Sequence, residues 1–193
     1  MTPLLLASAS PRRRELLERM GYALEVRPAD VDEAELPNEA PPVYVARVAA
    51  AKADAVVRAP DQWVLAADTT VTIGGAILGK AATPEEAHAM LARLTGRTHQ
   101  VLTAFVVVGD RARREAIAVT DVTMIDFDVA DYVASGEWRG KAGAYAIQGI
   151  GAALVREIRG SVTNVIGLPV AEVLAVLREL GGPVPRLASG LPS

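Results

Sequence analysis

Short apolar runs alternate with helical stripes of hydrophobic residues along the chain, which is typical of an α/β protein. The continuous apolar run at residues 4–7 predicts a strand covered on both faces, and residues 63–67 repeat this pattern. The other predicted strands are residues 22–27, 71–73, 76–78, 99–108, 115–125 and 152–158. Because a parallel-type strand–helix unit comes first and hairpins follow, we expect a mixed sheet flanked by helices.

The predicted helices have recognisable ends. Ser10 is a suitable N-cap with Pro11 at the first helical position, and Gly21 ends this first helix. Its inward stripe is Leu16, Leu17 and Met20. The further helices are residues 43–58, a segment from the capping box at residues 83–86 to Gly96, residues 129–134, and a last helix between Pro169 and Gly181.

Polar and proline-rich stretches mark the loops. Residues 28–42 predict a long acidic loop, and a loop of this length is often functional, although a solvated surface excursion is the plainer alternative. Its carboxylates are Asp30, Asp32, Glu33, Glu35 and Glu39. Residues 164–167 predict another loop. We expect one domain over residues 1–182 and a loose tail over residues 183–193.

The composition excludes several classes of protein. The chain has 193 residues, of which 51% are hydrophobic, and its net charge of −3 argues against a general nucleic-acid or membrane-surface binder. It has no cysteine, so disulfides, thiolate metal sites and cysteine nucleophiles are excluded. The N-terminal apolar run is too short for a signal peptide, and no segment is long enough to span a membrane. We therefore expect a cytoplasmic protein.

The loop before the first helix is a candidate phosphate site. It brings Ser8, Ser10 and the free N–H groups of a helix N-terminus to one point, beside Arg12, Arg13 and Arg14. Cations are unfavourable at the positive end of a helix, so three arginines there need an anion. A phosphate would accept hydrogen bonds from the guanidinium and N–H groups together. The alternative is a solvated basic helix face.

Asp68 and Lys80 are the other candidates for chemistry. Asp68 follows an apolar strand, so we expect it at the carboxyl end of that strand, where ligands of α/β sheets lie. It could hold a divalent cation or take a proton from water, the alternative being a turn aspartate. Lys80 follows a hairpin that returns the chain toward Asp68, where it suits a triphosphate unless it is an ordinary surface lysine. His88 and His99 lack metal-ligand spacing, and we interpret them as structural.

Several short motifs surround these residues. They are Leu-Ala-Ser-Ala-Ser-Pro-Arg-Arg at 6–13, Ala-Asp-Thr at 67–69, Gly-Lys at 79–80, Lys-Ala-Gly-Ala-Tyr-Ala-Ile-Gln-Gly at 141–149, Gly-Ser at 160–161 and Asn-Val-Ile-Gly-Leu-Pro at 164–169. Each is weak alone. Together, in this order, they resemble the Maf family of nucleoside triphosphate pyrophosphatases over nearly the whole chain.

The resemblance implies an elongated α/β fold of the Maf and inosine triphosphatase type, with two lobes around a substrate cleft, and usually a homodimer. It implies hydrolysis of a nucleoside triphosphate to the monophosphate and pyrophosphate with a divalent cation, Mg²⁺ or Mn²⁺. Asp68 then matches the proton acceptor, and Glu33 and Asp68 the metal ligands. The matched substrate residues are Arg12, Thr69 and Gln148 for substrate choice, Lys80 on the phosphate side, and Ser8, Ser10, Arg13 and Lys52 in the cleft lining.

The segment that contains Gln148 is similar to the branch of the family acting on dTTP and UTP. A sister branch preferring 7-methyl-GTP has Glu in place of this Gln. Val162 departs from the Tyr common in the first branch, and Ala81 from a frequent Pro. Two other functions stay open: a cell-division regulator acting through a partner, and a triphosphatase directed at inosine triphosphate or 7-methyl-GTP, the latter disfavoured by Gln148.

Overall fold

Seven strands form one mixed sheet in the computed structural model, which describes residues 3–185. The strands are β1 (Leu4–Leu6), β2 (Leu24–Val26), β3 (Val64–Ile73), β4 (Ala76–Leu78), β5 (Thr98–Val108), β6 (Arg113–Met124) and β7 (Val155–Arg159). The helices are α1 (Pro11–Arg19), α2 (Pro41–Ala55), α3 (Pro84–Leu94), α4 (Val129–Ala134), α5 (Val162–Ile166) and α6 (Val170–Glu179), with a 3₁₀ helix at Ile150–Leu154. The predicted class, a mixed α/β sheet flanked by helices, is confirmed.

The sheet has a parallel edge and an antiparallel body. Its strand order is β2-β1-β3-β5-β6-β7, and β4 pairs with β3. β1 runs parallel to β2 and β3, whereas the other pairs are antiparallel. The ladder between β3 and β5 extends from Val64 opposite Val108 to Thr72 opposite Gln100. This long ladder carries the candidate site.

The prediction that Asp68 ends a strand is wrong. β3 continues to Ile73, and Asp68 lies within it, opposite Ala104 of β5. The strand continues because β-branched residues follow Asp68 and because β5 offers a backbone partner along the whole length. The parallel neighbour β1 stops at Leu6, opposite Leu65. Asp68 therefore lies beyond the carboxyl end of β1, and a cleft opens beside it.

Two further segments differ from their predictions. Residues 164–167 are not a loop, because α5 begins after Ser161, whose hydroxyl accepts a hydrogen bond from the Asn164 N–H at 3.2 Å. The Asn164 side chain is buried and donates to the Val101 carbonyl at 3.0 Å, which fixes this short helix on the sheet. The predicted strand at residues 152–158 begins later, at Val155, after the 3₁₀ helix.

The helix ends follow the sequence closely. Ser10 caps α1 by accepting from the Arg13 N–H, and Thr83 caps α3 by accepting from the Glu86 N–H. α2 begins earlier than predicted, at Pro41, since proline is compatible with the first turn of a helix. Val173 and Leu177 of α6 are fully buried, as the amphipathic pattern predicts.

The core lies on both faces of the sheet. α2 covers one face, where Val45 and Ala49 pack with Ala66 of β3. α1 and α6 cover the other face, where Leu17 and Leu177 meet residues of β3 and β5. A third cluster, formed by α3, α4 and the β3–β4 hairpin, continues the core past the cleft. Burying one such leucine stabilises the fold by about 1.5–3 kcal/mol.

The described chain ends with a packed segment. The Tyr22 hydroxyl donates to the Pro183 carbonyl at 3.1 Å, and Val184 packs against the core beside α1 and α6. Residues 186–193, the rest of the predicted tail, lie outside the described residues, so the domain boundary stays a prediction. In the part of the chain from residue 3 to residue 185, no helix is long and apolar enough to cross a membrane.

His99 is a buried histidine beside the third cluster. It is 2% exposed, and its Nε2 lies 2.8 Å from the Tyr145 hydroxyl. Burial lowers the pKa of His99 from 6.5 to about 4. The folded protein therefore keeps this ring neutral at pH values where the unfolded chain protonates it.

This difference predicts a pH dependence of stability. The stability that the neutral His99 ring contributes is fully present above pH 6.5 and is lost as the pH falls toward 4. At that pH the loss in the free energy of unfolding reaches on the order of 3 kcal/mol. His99→Gln should reduce the fall in the free energy of unfolding between pH 7 and pH 4, measured by urea unfolding. His88→Gln, at an exposed position, is the control. Equal pH slopes for His99→Gln and the wild type would contradict the assignment.

Candidate active site

One cleft of about 970 Å³ brings the predicted site residues together. It lies beside the middle of β3, between the loop that precedes α1, the acidic loop before α2 and the loop after α4. Its lining includes Ser8, Ser10, Arg12, Arg13, Glu33, Lys52, Asp68, Thr69, Lys80 and Gln148. The structure thus assembles residues separated by up to 140 positions, while their individual roles stay proposals.

A lysine ammonium bridges two carboxylates in this cleft. Lys52 Nζ of α2 lies 2.7 Å from Asp68 Oδ1 of β3 and 2.7 Å from Glu33 Oε1 of the acidic loop. The side chains of Lys52 and Asp68 are 9% and 10% exposed, whereas Glu33 is 41% exposed. The group keeps one negative charge in excess and one free oxygen on each carboxylate, so it can accept a cation or a proton.

Several cations lie close enough to Glu33 to lower the pKa of its carboxyl group. Burial raises the pKa of Glu33, but the hydrogen bond from Lys52 and the charges of Lys52, Lys80 and Arg13 outweigh it. The resulting pKa is below its usual value. Glu33 is therefore ionised at neutral pH and available as a ligand.

Arg13 is a buried connector and not a solvent-facing cation. Its Nε donates to the Gly167 carbonyl at 2.7 Å, and its two terminal nitrogens donate to Ser8 Oγ at 2.8 Å and Thr69 Oγ1 at 2.9 Å. The side chain joins α1, β3 and the segment between α5 and α6. Burial lowers the pKa of Arg13, and the charge of Asp68 raises it in part.

The expectation that all three arginines need an anion is therefore wrong. Arg13 is satisfied by protein acceptors, and the exposed Arg14 lies 3.6 Å from Glu18 one turn along the helix. The reason is the helical spacing, which turns successive side chains toward different surroundings. Arg12 alone of the three has no acceptor among the described residues, and burial lowers its pKa.

Arg12 belongs to a group of cations at the cleft. Lys80 is exposed, and its backbone pairs with Ala142 in an isolated antiparallel bridge. This bridge places Lys80 beside Lys141, which also lines the cleft. Burial lowers the pKa of Lys141, and the charge of Arg12 lowers it further. Cations that repel one another across an open cleft form a site for a multiply charged anion.

Gln148 lies on the loop after α4, which is one of the loops that line the cleft. It is exposed and makes no side-chain hydrogen bond within residues 3–185. No backbone group of the described residues therefore satisfies its amide. The amide can both donate and accept, and it is available to a ligand.

Sequence reasoning missed two residues of this cleft, Lys141 and Glu137. Lys141 opens a motif quoted above, and its place in that motif was the signal. Glu137 lies outside the motif and had no signal, because its role depends on backbone N–H groups of residues 150 and 151.

The residues present fit a divalent cation bound together with a phosphate. Within the described chain, no group of three or more His, Cys, Asp or Glu could hold a metal ion by itself. Glu33 and Asp68 place carboxylate oxygens on both sides of Lys52 that could act as ligands. Mg²⁺ is usually bound by one or two carboxylates, waters and substrate phosphates, so this donor set suits it.

Comparison with known proteins shows the family of this chain. The model of the family described as Maf-like protein matches residues 3–180. The chain therefore belongs to the Maf-like protein family.

Close relatives are similar over nearly their whole length. The dTTP/UTP pyrophosphatase of Anaeromyxobacter dehalogenans strain 2CP-1 is 51% identical over 189 residues, which cover 94% of this chain and 96% of the relative. The dTTP/UTP pyrophosphatase of Myxococcus xanthus is 48% identical, with 97% of each chain covered. That of Cereibacter sphaeroides is 47% identical, covering 96% of this chain and 99% of the relative.

The connector role of Arg13 predicts that lysine cannot replace it. Arg13→Lys should lower the free energy of unfolding by about 3 kcal/mol, because one ammonium cannot reach all three acceptors and leaves buried groups unsatisfied. Arg14→Lys, on the same helix but exposed, should change it by less than about 0.5 kcal/mol. Urea unfolding of both variants measures the difference. Equal midpoints would show that Arg13 does not hold the cleft together.

Proposed function

We propose that this Maf-like protein hydrolyses dTTP and UTP to the nucleoside monophosphate and pyrophosphate. The observation that carries the proposal is one cleft combining a lysine-bridged carboxylate pair, the cations Arg12, Lys80 and Lys141, and an exposed amide on Gln148. The names of the relatives, dTTP/UTP pyrophosphatases at about half identity, support it.

Asp68 is the general base in this proposal. Lys52 holds Asp68 Oδ1, so Oδ2 is left to take a proton from the attacking water. The water oxygen forms a bond to the α-phosphorus, the bond from this phosphorus to the oxygen that bridges to the β-phosphorus breaks, and pyrophosphate leaves with the electron pair. Arg12, Lys80 and Lys141 stabilise the negative charge that grows on this leaving group. No covalent enzyme intermediate is needed.

A divalent cation, Mg²⁺ or Mn²⁺, completes the proposed site. Glu33 and Asp68 would hold it, and when bound it supplies Lewis-acid polarisation of phosphate oxygens. The buried Arg13 holds Ser8 and Thr69 in place beside the cleft. Ser10 caps α1 and lines the cleft.

Gln148 reads the base in this proposal. Uracil and thymine present a carbonyl beside an N3–H, and one primary amide matches both groups. A carboxylate can only accept, so it would repel that carbonyl. Thr69 lies on the β3 side of the same cleft, and Thr69 and Arg12 are the other residues that we connect with substrate choice.

The resemblance also leads us to propose a homodimer in the cytoplasm. The oligomeric state is measured by light scattering coupled to gel filtration.

Removing the proposed base should abolish most of the turnover. Asp68→Asn keeps the shape and the contact with Lys52 but cannot accept the proton, so we expect a loss of roughly 10²-fold or more in kcat. Pyrophosphate release from UTP is the readout. Asp54→Asn, at an exposed position on α2, is the control. A kcat for Asp68→Asn within a few-fold of the wild type would exclude this role.

Changing the amide should change the preferred base. Gln148→Glu should lower kcat/KM for dTTP and UTP relative to 7-methyl-GTP, because a site built for a hydrogen bond rejects a mismatched edge. Gln148→Met, which removes the amide without adding charge, separates the lost hydrogen bond from repulsion. If all three proteins gave the same ratio of pyrimidine to 7-methyl-GTP activity, Gln148 would not contact the base.

A further inference from the structure

One carboxylate holds the loop that presents Gln148. Glu137 Oε1 accepts from the Ile150 N–H at 2.8 Å, and Oε2 accepts from the Gly151 N–H at 2.8 Å. Both donors lie directly after the segment with Gln148. The backbone on the C-terminal side of this residue is therefore fixed by Glu137, which itself lines the cleft.

Tyr132 fixes the other side of the same loop. Its hydroxyl donates to Glu137 Oε2 at 2.7 Å and accepts from the Ala146 N–H at 3.2 Å. Tyr132 belongs to α4 and is 4% exposed, so it connects the loop to the hydrophobic core. The loop from residue 146 to residue 151 is thus clamped at both ends around Gln148.

The glycines of this loop show how closely the clamp fits. A Cβ at Gly149 would lie 1.7 Å from Glu137 Oε1, and a Cβ at Gly151 would lie 2.4 Å from the Ala146 carbonyl oxygen. Gly151 therefore needs to be glycine, because its clash is with backbone, whereas a side chain at residue 149 would have to push the Glu137 carboxylate away from the loop. The loop conformation therefore depends on the carboxylate resting against its backbone.

The charge state of Glu137 is compatible with this clamp. Burial raises the pKa of Glu137, but the hydrogen bonds from Tyr132, Gly151 and Ile150 lower it more. An ionised carboxylate only accepts hydrogen bonds. This suits Glu137, because three hydrogen-bond donors converge on it.

We propose that Glu137 is a positioning residue for base recognition, which acts through the backbone of residues 146–151 to orient the amide of Gln148. This inference rests on the proposed role of Gln148 as the base-reading residue. A buried anchor with no effect on recognition is the competing explanation, and binding measurements separate the two.

The test compares product binding with and without a base. UMP and ribose 5-phosphate share the phosphate and the sugar. The inhibition constant of ribose 5-phosphate divided by that of UMP therefore reports the contribution of uracil to binding. Glu137→Gln places an amide NH₂ against one of the loop donors, and we expect its UMP affinity to fall about tenfold, the equivalent of one hydrogen bond. Affinity for ribose 5-phosphate should stay within about twofold, as should both constants for the control Glu157→Gln on β7.

A double-mutant cycle checks that the effect passes through Gln148. In a Gln148→Ala background, Glu137→Gln should weaken UMP binding by less than about twofold, since the amide to be oriented is already absent. Tyr132→Phe removes two contacts of the clamp and gives an independent variant if Glu137→Gln fails to fold. Hydrogen exchange at residues 146–151 should rise in both single variants.

The outcomes are distinguishable. If UMP binds much more tightly than ribose 5-phosphate in the wild type, and the ratio of the two inhibition constants is unchanged in Glu137→Gln and Tyr132→Phe, the positioning role is overturned and the proposed function is left intact. Equal losses of UMP and ribose 5-phosphate affinity make Glu137 a general anchor and also overturn it. A ratio near one in the wild type shows that the site does not read the base, which contradicts the proposed function as well.

Discussion

The buried ammonium of Lys52 is the interaction on which the cleft depends. It lies between a carboxylate of the sheet and a carboxylate of the acidic loop, at 2.7 Å from each. Removing one partner of a buried ion pair commonly costs about 3–5 kcal/mol, because the remaining charge is left uncompensated. The same ammonium joins Asp68 within β3 to Glu33 of the acidic loop. A long surface loop thereby becomes part of the site.

The cleft is organised by separation of charge. The lysine-bridged carboxylates form one region, which favours a cation, and Arg12, Lys80 and Lys141 form another, which favours an anion. A nucleoside triphosphate bound with a divalent cation satisfies both regions at once. Arg13 joins α1 and β3, and its guanidinium group donates its hydrogen bonds to acceptors within the protein. Burying this cation and satisfying it internally fixes α1 against β3 and the segment before α6.

Local features of the structure could be predicted from the sequence, because local chemistry determines them. The Ser10 cap, the Thr83 cap and the apolar stripe of α6 depend on residues a few positions apart. The predicted cleft residues followed from motifs and, for Glu33 and Lys52, from the family resemblance, and the structure places all of them together. What each side chain touches was not predictable in the same way.

Contacts between distant segments could not be predicted. The three adjacent arginines look alike in sequence, but Arg13 is buried and Arg14 is exposed, because the sheet occupies one side of α1. Asp68 was expected at a strand end since the ladder to β5, more than thirty residues later, could not be known. Glu137 acts on backbone N–H groups, which every residue except proline carries, so no residue pattern indicates its role.

The most direct test of this account is the identity of the products formed from UTP. Phosphorus NMR of a reaction with the purified protein and Mg²⁺ or Mn²⁺ distinguishes the possible cleavages in one spectrum. The account predicts UMP and intact pyrophosphate in equal amounts, from cleavage between the α- and β-phosphoryl groups. Formation of UDP and inorganic phosphate, or no turnover of UTP or dTTP with either cation, would contradict it.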